Sequence, residues 1–248
     1  MRVLNILYDT YPIIIHAPGK AEFNPMWVDI IRSYETSNLV DMSCEKCDYC
    51  DIMTWSSRSV RYDDNQSHKI PMIFPSSVTR LGLNINILYV DNWNTNRIKI
   101  FKTIEYLEQS DREFVLGSDC HDSILISHNI DRSILDRYGC RMIFNAETKF
   151  WPDTMDTTRL SQKMLINGKF CYLNGGSWFG YRNTCLSFFK LAANVSQKLQ
   201  EYPYSEQVCL HEPYIEMYPM VKLDYRCEMF QIVNRVSNKD LTILENAY

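Results

Sequence analysis

The sequence predicts one α/β domain built on a mixed, mostly parallel sheet with helices on its faces. Three observations carry that reading. Short apolar runs rich in β-branched residues recur along the chain, and segments with helical apolar spacing stand between several of them. The 248 residues are 46% hydrophobic and 23% charged, with only 8 Gly and 9 Pro, which is a globular composition with enough apolar residues for an ordinary core.

In chain order, residues 12–15 (PIII) read as a buried strand. Residues 24–34 (NPMWVDIIRSY) open on Asn-Pro, a helix start, and continue with helical spacing. Residues 41–69 are polar and cysteine-containing without periodicity and read as an insertion leaving the core. Strands are expected at 71–74 and 85–90. Residues 96–109 place Ile98, Ile100, Phe101, Ile104 and Leu107 on one helical stripe. The strand at 113–117 runs directly into Ser118-Asp119-Cys120-His121-Asp122, and another strand follows at 142–145. Asn174-Gly175-Gly176 is expected to break the chain before the aromatic stretch 178–181, and 188–199 reads as a helix. Strands alternating with helices imply parallel pairing.

Composition also excludes. A net charge of −4 and a pI near 5.8 give no general attraction for phosphate backbones or acidic membranes, so nucleic acid is disfavoured as a partner. Residues 1–15 lack the apolar core of a signal peptide, and no run reaches the roughly 18 apolar residues of a membrane span. With nine cysteines, an odd number, the expectation is reduced thiols in a cytoplasmic compartment.

Several constellations carry chemistry. Asp119-x-x-Asp122 follows an apolar strand, where α/β sheets bind ligands, and offers hard oxygens to Mg²⁺ or Mn²⁺; the competing reading is a turn or helix cap. His16-Ala17-Pro18-Gly19-Lys20 follows another strand: an imidazole is a metal ligand, and a Gly-Lys loop approaches phosphate closely. The plainer alternative is a hydrogen-bonded loop histidine. Trp151-Pro152 in a loop suits sugar stacking, or a core tryptophan. Glu206 offers a general base or nucleophile, or simply a helix N-terminus with Ser205 as its cap. Cys44-x-x-Cys47-x-x-Cys50 has zinc-ligand spacing but needs a fourth ligand, for which His68 is a candidate; structural Zn²⁺ and free thiols weigh evenly.

The segments EFVLGSDCHD, IFNAETKFWPD, GKFCYLNGGSWFGY, SEQ and LDYRCEMFQIVN, between Arg112 and Asn234, resemble the glycosyltransferase domain of the procollagen lysyl hydroxylases and, more distantly, the collagen galactosyltransferases. They fall in the family's order. Residues 8–24 (YDTYPIIIHAPGKAEFN) resemble the family's closing segment but stand first here, which implies a circular permutation.

The resemblance implies a GT-A fold and transfer of a hexose or related sugar from a nucleotide-diphosphate sugar, UDP-sugar foremost, to a hydroxyl. Asp119, Asp122 and His16 would hold Mn²⁺ (or Mg²⁺), and Gly19 and Lys20 would face the diphosphate. Asn174, Gly175 and Gly176 would line the sugar site, and Trp93 and Arg97 would contact the nucleotide. Trp151 and Glu206 would border the reacting centre. The family has an acidic pair before the glutamine where this chain has Ser205-Glu206, which bears on the catalytic role. The acceptor stays open among protein hydroxylysine, a glycan and a modified base. The absence of a leader fits a bacterial, phage or viral enzyme better than a lumenal one. The alternatives are a degenerate nucleotide-sugar-binding module and a zinc-stabilised interaction protein.

Overall fold

The computed structural model describes residues 1–19, 24–37, 49–57, 71–199, 201–234, 236 and 239–244. The strands are β1 (Arg2–Asn5), β2 (Ile14–His16), β3 (Cys50–Ser57), β4 (Asn86–Val90), β5 (Phe114–Ser118), β6 (Ser123–Leu125), β7 (Met142–Glu147), β8 (Tyr172–Tyr181), β9 (Val221–Leu223), β10 (Phe230–Ile232) and β11 (Leu241–Leu244). The helices are α1 (Pro25–Thr36), α2 (Ile73–Arg80), α3 (Ile98–Gln109), α4 (Ser133–Tyr138), α5 (Asp156–Leu165), α6 (Arg182–Lys198) and α7 (Gln207–Glu216).

The main sheet has the order β4-β3-β5-β8-β7-β9. Its pairs are parallel except where β8 runs antiparallel between β5 and β7. This is the mixed, mostly parallel sheet expected. A smaller sheet, β10-β2-β6, pairs β2 parallel to β10 and antiparallel to β6. β1 and β11 form an antiparallel pair.

Both faces of the main sheet are buried, as a helix-covered sheet requires. Val115 and Trp178 join the apolar cluster that contains Phe188 of α6 and Leu210 of α7. Their neighbours Phe114, Leu116 and Phe179 point the other way, into a cluster with Phe74, Val78 and Leu135. Gly117 is dictated by this packing: a Cβ there would stand 2.5 Å from the buried Trp178 ring. α1 starts as expected, with the Asn24 side chain accepting from the backbone N–H groups of Met26 and Trp27.

Three expectations are corrected. Residues 71–74 are not a strand; α2 begins at Ile73. Phe74, Ser77 and Val78 recur at helical spacing and are buried, and Pro75 lies in the first turn, where its missing N–H removes no helical bond. The 41–69 stretch is not all insertion, because Cys50–Ser57 is β3, paired on both edges one strand in from the end of the sheet. Its polar Thr54 and Ser56 are buried, which hides the strand from a hydrophobicity reading. Residues 38–48 and 58–70 lie outside the described residues. Finally, Asn174-Gly175-Gly176 does not end a segment. It lies within β8, and the β7–β8 register shifts there, from Phe144 opposite Trp178 to Asn145 opposite Asn174.

Candidate metal centre

The acidic turn sits where the chain crosses between the two larger sheets. β5 ends at Ser118 in the main sheet, and β6 begins at Ser123 in the smaller one. Asp119 is held by its N–H, which donates to the Gly176 carbonyl at 2.8 Å. Asp122 is held by its carbonyl, which accepts from Ala17 N–H at 2.8 Å. Because β2 pairs with β6 in a register that sets His16 opposite Ser123, the imidazole arrives beside the turn.

His16 Nε2 lies 3.6 Å from Asp119 Oδ2 and 3.6 Å from Asp122 Oδ2. One ligand atom from each of these residues lies within 4.8 Å of the others. His16 is 1% exposed, and its Nε2 has no hydrogen-bond partner. A buried imidazole nitrogen is normally bonded, so one aimed at two carboxylate oxygens beyond hydrogen-bond range fits a cation between them. Two hard oxygens and one imidazole suit Mn²⁺ or Mg²⁺.

Without a cation, the two carboxylates favour a charged imidazole. Burial alone would lower the His16 pKa, but the Asp122 and Asp119 carboxylates lift it to about 10. Burial would raise the Asp119 pKa, but Lys99 and then His16 hold it well below the usual carboxylate range. Lys99 carries no signal in the sequence that marks it for this site. Its ammonium donates to Asp119 Oδ1 at 2.6 Å and to Glu206 Oε1 at 2.9 Å. Burial would lower its pKa, and these two carboxylates raise it, so it stays charged.

The centre opens into a cleft of about 430 Å³. His16, Gly19, Lys99, Asp119, Asp122, Trp151, Asn174, Gly176 and Glu206 line it together with Glu147 and Asn234. Gly19 adopts φ 89°, a left-handed conformation that suits glycine. Gly176 is set by His16, since a Cβ there would overlap the imidazole. Glu206 occupies the N-cap position of α7 without a side-chain cap bond, and Gln207 next to it donates to Glu147 Oε1 at 2.8 Å.

Other expected ligands are placed elsewhere. Gly175 packs toward Leu210 and is absent from the cleft wall. Arg97 is not turned to the cleft: its guanidinium donates to the carbonyls of Ser196, Leu199, Glu201, Tyr202 and Ser205, so it clamps the loop leading to Glu206. Trp93 donates from Nε1 to Asn96 Oδ1 and packs against the core, outside the cleft lining. Lys20, Cys44, Cys47 and His68 lie outside the described residues. Cys50 is buried in β3. The described cysteines are all buried, and none forms a disulfide. Among the described residues no helix is long and apolar enough to cross a membrane.

Trp151 is 47% exposed at the rim of the cleft. Its carbonyl accepts from His211 Nε2 at 2.8 Å, while His211 Nδ1 faces the amide of Gln162 at 2.8 Å. Burial lowers the His211 pKa to about 4. The neutral ring is therefore required by the fold. Stability from it is complete above the unfolded value near 6.5 and is lost as pH falls from there toward 4. Thermal melts between pH 7 and pH 5 are expected to show a loss on the order of 2 kcal/mol in the parent that His211→Gln lacks. Equal pH slopes for the two proteins would refute this assignment.

A mixed α/β sheet with an acidic turn at a strand end, an imidazole beside it and an open polar cleft is the arrangement of a GT-A-like glycosyltransferase domain. The sequence model described as the PLOD GT domain matches residues 88–247, more than half of the chain, and the protein belongs to this family, that of the procollagen lysyl hydroxylase glycosyltransferase domains. Asp119, Asp122, Trp151 and Glu206 lie inside the match, and His16 lies outside it. An uncharacterized protein, R699, of Acanthamoeba polyphaga mimivirus is 28% identical over 141 residues, 55% of this chain. The chain spans 28% of that relative's length.

Proposed function

We propose that this domain is a divalent-cation-dependent glycosyltransferase that moves a hexose or related sugar from a nucleotide-diphosphate donor, UDP-sugar foremost, to a hydroxyl acceptor. The observation that carries the reading is the partnerless, buried His16 Nε2 aimed at the Asp119 and Asp122 carboxylates. Family membership supplies the reaction class.

His16, Asp119 and Asp122 would hold Mn²⁺ or Mg²⁺. When bound, such a cation neutralises the donor diphosphate and makes it a better leaving group. Gly19 and Gly176 present backbone to the cleft close to these ligands. Trp151 offers an exposed aromatic face for a sugar or acceptor. Glu206 is held at the cleft by Lys99 through Oε1. In an inverting route the acceptor oxygen forms the new bond to the anomeric carbon, the bond to diphosphate breaks, and Glu206 takes the acceptor proton. In a retaining route it stabilises positive charge on the sugar.

Lys99 supplies the fixed positive charge at the base of the cleft. Lys99→Met keeps the aliphatic stem and removes the charge, and it is expected to lower turnover about 10²-fold while leaving Mn²⁺ binding intact, because the carboxylates then repel each other more and attract the cation more. Loss of Mn²⁺ binding in this variant would assign Lys99 to assembly of the site instead.

The permuted order is also part of this reading. It is supported by the pairing of β1 with β11 and by the position of His16 outside the family match. A chain with residues 1–23 moved behind residue 248 by a short linker should fold and bind Mn²⁺ as the parent does; failure to fold would count against it. The whole function is tested by incubating the protein with a panel of nucleotide sugars and Mn²⁺ and measuring nucleotide diphosphate release with and without hydroxylated acceptors. Release from one preferred donor, abolished by a chelator, supports the proposal. No release and no nucleotide binding would end it.

A further inference from the structure

We infer that Asn145 is a positioning residue for His16, holding the imidazole as the Nδ1–H tautomer so that the Nε2 lone pair faces the cation. This rests on the cation reading above.

Asn145 lies on β7, is fully buried, and lies with its carboxamide against the ring: Nδ2 is 3.3 Å from His16 Nδ1. Its Oδ1 has no hydrogen-bond partner. The two ends of a carboxamide have the same shape, so hydrogen bonding decides between them. With the nitrogen toward the ring, Nδ1 must accept, the neutral ring's proton sits on Nε2, and Oδ1 is stranded. With the oxygen toward the ring, Nδ1–H donates, Oδ1 is satisfied, and Nε2 is bare toward Asp119 and Asp122. The second arrangement pairs the amide oxygen, moves the carboxamide NH₂ to the place where the oxygen has no partner, and turns the unpaired Nε2 into a ligand. A metal-bound histidine is oriented in this way by an acceptor on its other nitrogen.

The backbone is shaped for this contact. The β7–β8 register shifts between Phe144 and Asn145, so β8 residues 175–177 have no ladder partner on β7. The bulged segment wraps the imidazole, with Gly176 against its ring. Bulges beside functional sites re-aim side chains, and this one lets Asn145 and Gly176 meet His16.

The test combines a tautomer measurement with a binding series. In the parent protein labelled with ¹⁵N-histidine and loaded with diamagnetic Mg²⁺ or Zn²⁺, the His16 spectrum should carry its proton on Nδ1. Asn145→Leu should weaken Mn²⁺ binding, measured by electron paramagnetic resonance, about 10–100-fold, and Asn145→Asp, which restores an acceptor, should recover most of it. A proton on Nε2 in the loaded parent, or a folded Asn145→Leu that binds Mn²⁺ like the parent, overturns the inference and leaves the cation site standing. If the parent itself binds no divalent cation, both fall. The tautomer measurement decides the matter even if Asn145→Leu does not fold.

Discussion

Asp122→Ala is expected to abolish Mn²⁺ binding and to lower sugar transfer by about 10³-fold or more, equivalent to several kcal/mol of lost stabilisation. The substitution removes a carboxylate whose Oδ2 stands 3.6 Å from His16 Nε2. It leaves the local fold in place, because the contact that ties the turn to β2 uses the backbone carbonyl of residue 122, accepting from Ala17. Asp119 is a less clean probe. Its loss would also leave Lys99 with Glu206 as its one remaining carboxylate partner of the two it now holds. Without metal the Asp122 variant should melt somewhat below the parent, because it loses the carboxylate that does most to raise the His16 pKa, and Mn²⁺ should raise the melting temperature of the parent alone. A variant that binds Mn²⁺ as well as the parent, or that keeps metal-stimulated turnover, would remove Asp122 from the centre and with it the proposed chemistry.

The ligand-type character of His16, Asp119 and Asp122 was legible locally, but their convergence on one centre was implied only by the family resemblance. Each is a polar, ligand-type group placed directly after a short apolar strand, and strand ends are where α/β sheets gather ligands. The strong helical stripe of α3 was equally plain. What sequence hid depends on long-range contacts. Lys99 looks like one more solvated lysine on an amphipathic helix, and only the approach of β5 and α7 makes it the bridge between Asp119 and Glu206. Arg97 has the charge of a phosphate ligand, yet five carbonyls of the end of α6 and the loop after it claim it. Gly175 and Gly176 read as a break, but their lack of a Cβ serves close packing against Leu210 and His16. β3 escaped notice because its buried Thr54 and Ser56 interrupt any apolar pattern. Asn145 sits in an ordinary-looking strand, and its role follows from a register shift that no local periodicity encodes.

A buried carboxylate outside the cleft braces the strand that pairs with the His16 strand. Asp224 follows β9, is fully buried, and accepts four hydrogen bonds. Oδ1 takes Tyr138 O–H at 2.7 Å and Glu228 N–H at 2.9 Å, and Oδ2 takes Met229 N–H at 2.7 Å and Phe230 N–H at 2.8 Å. Burial raises its pKa, and the hydrogen bonds oppose that rise. The turn it organises delivers β10, which pairs in parallel with β2 and sets the Ile232–His16 register. Asp224→Ala strands three backbone N–H groups and a tyrosine hydroxyl in the interior, and it is expected to cost about 3–5 kcal/mol. For a chain of this size that lowers the melting temperature by roughly 10 °C. Asp224→Asn keeps one oxygen but opposes an NH₂ to N–H donors, so it should recover only part of the loss. Because Asp224 acts on His16 through β10, Mn²⁺ should bind more weakly to the folded fraction of the Asp224→Ala protein, a coupling that a remote packing defect would not produce. Unchanged stability in that variant, measured by urea denaturation, would show that the β9–β10 turn holds without its carboxylate.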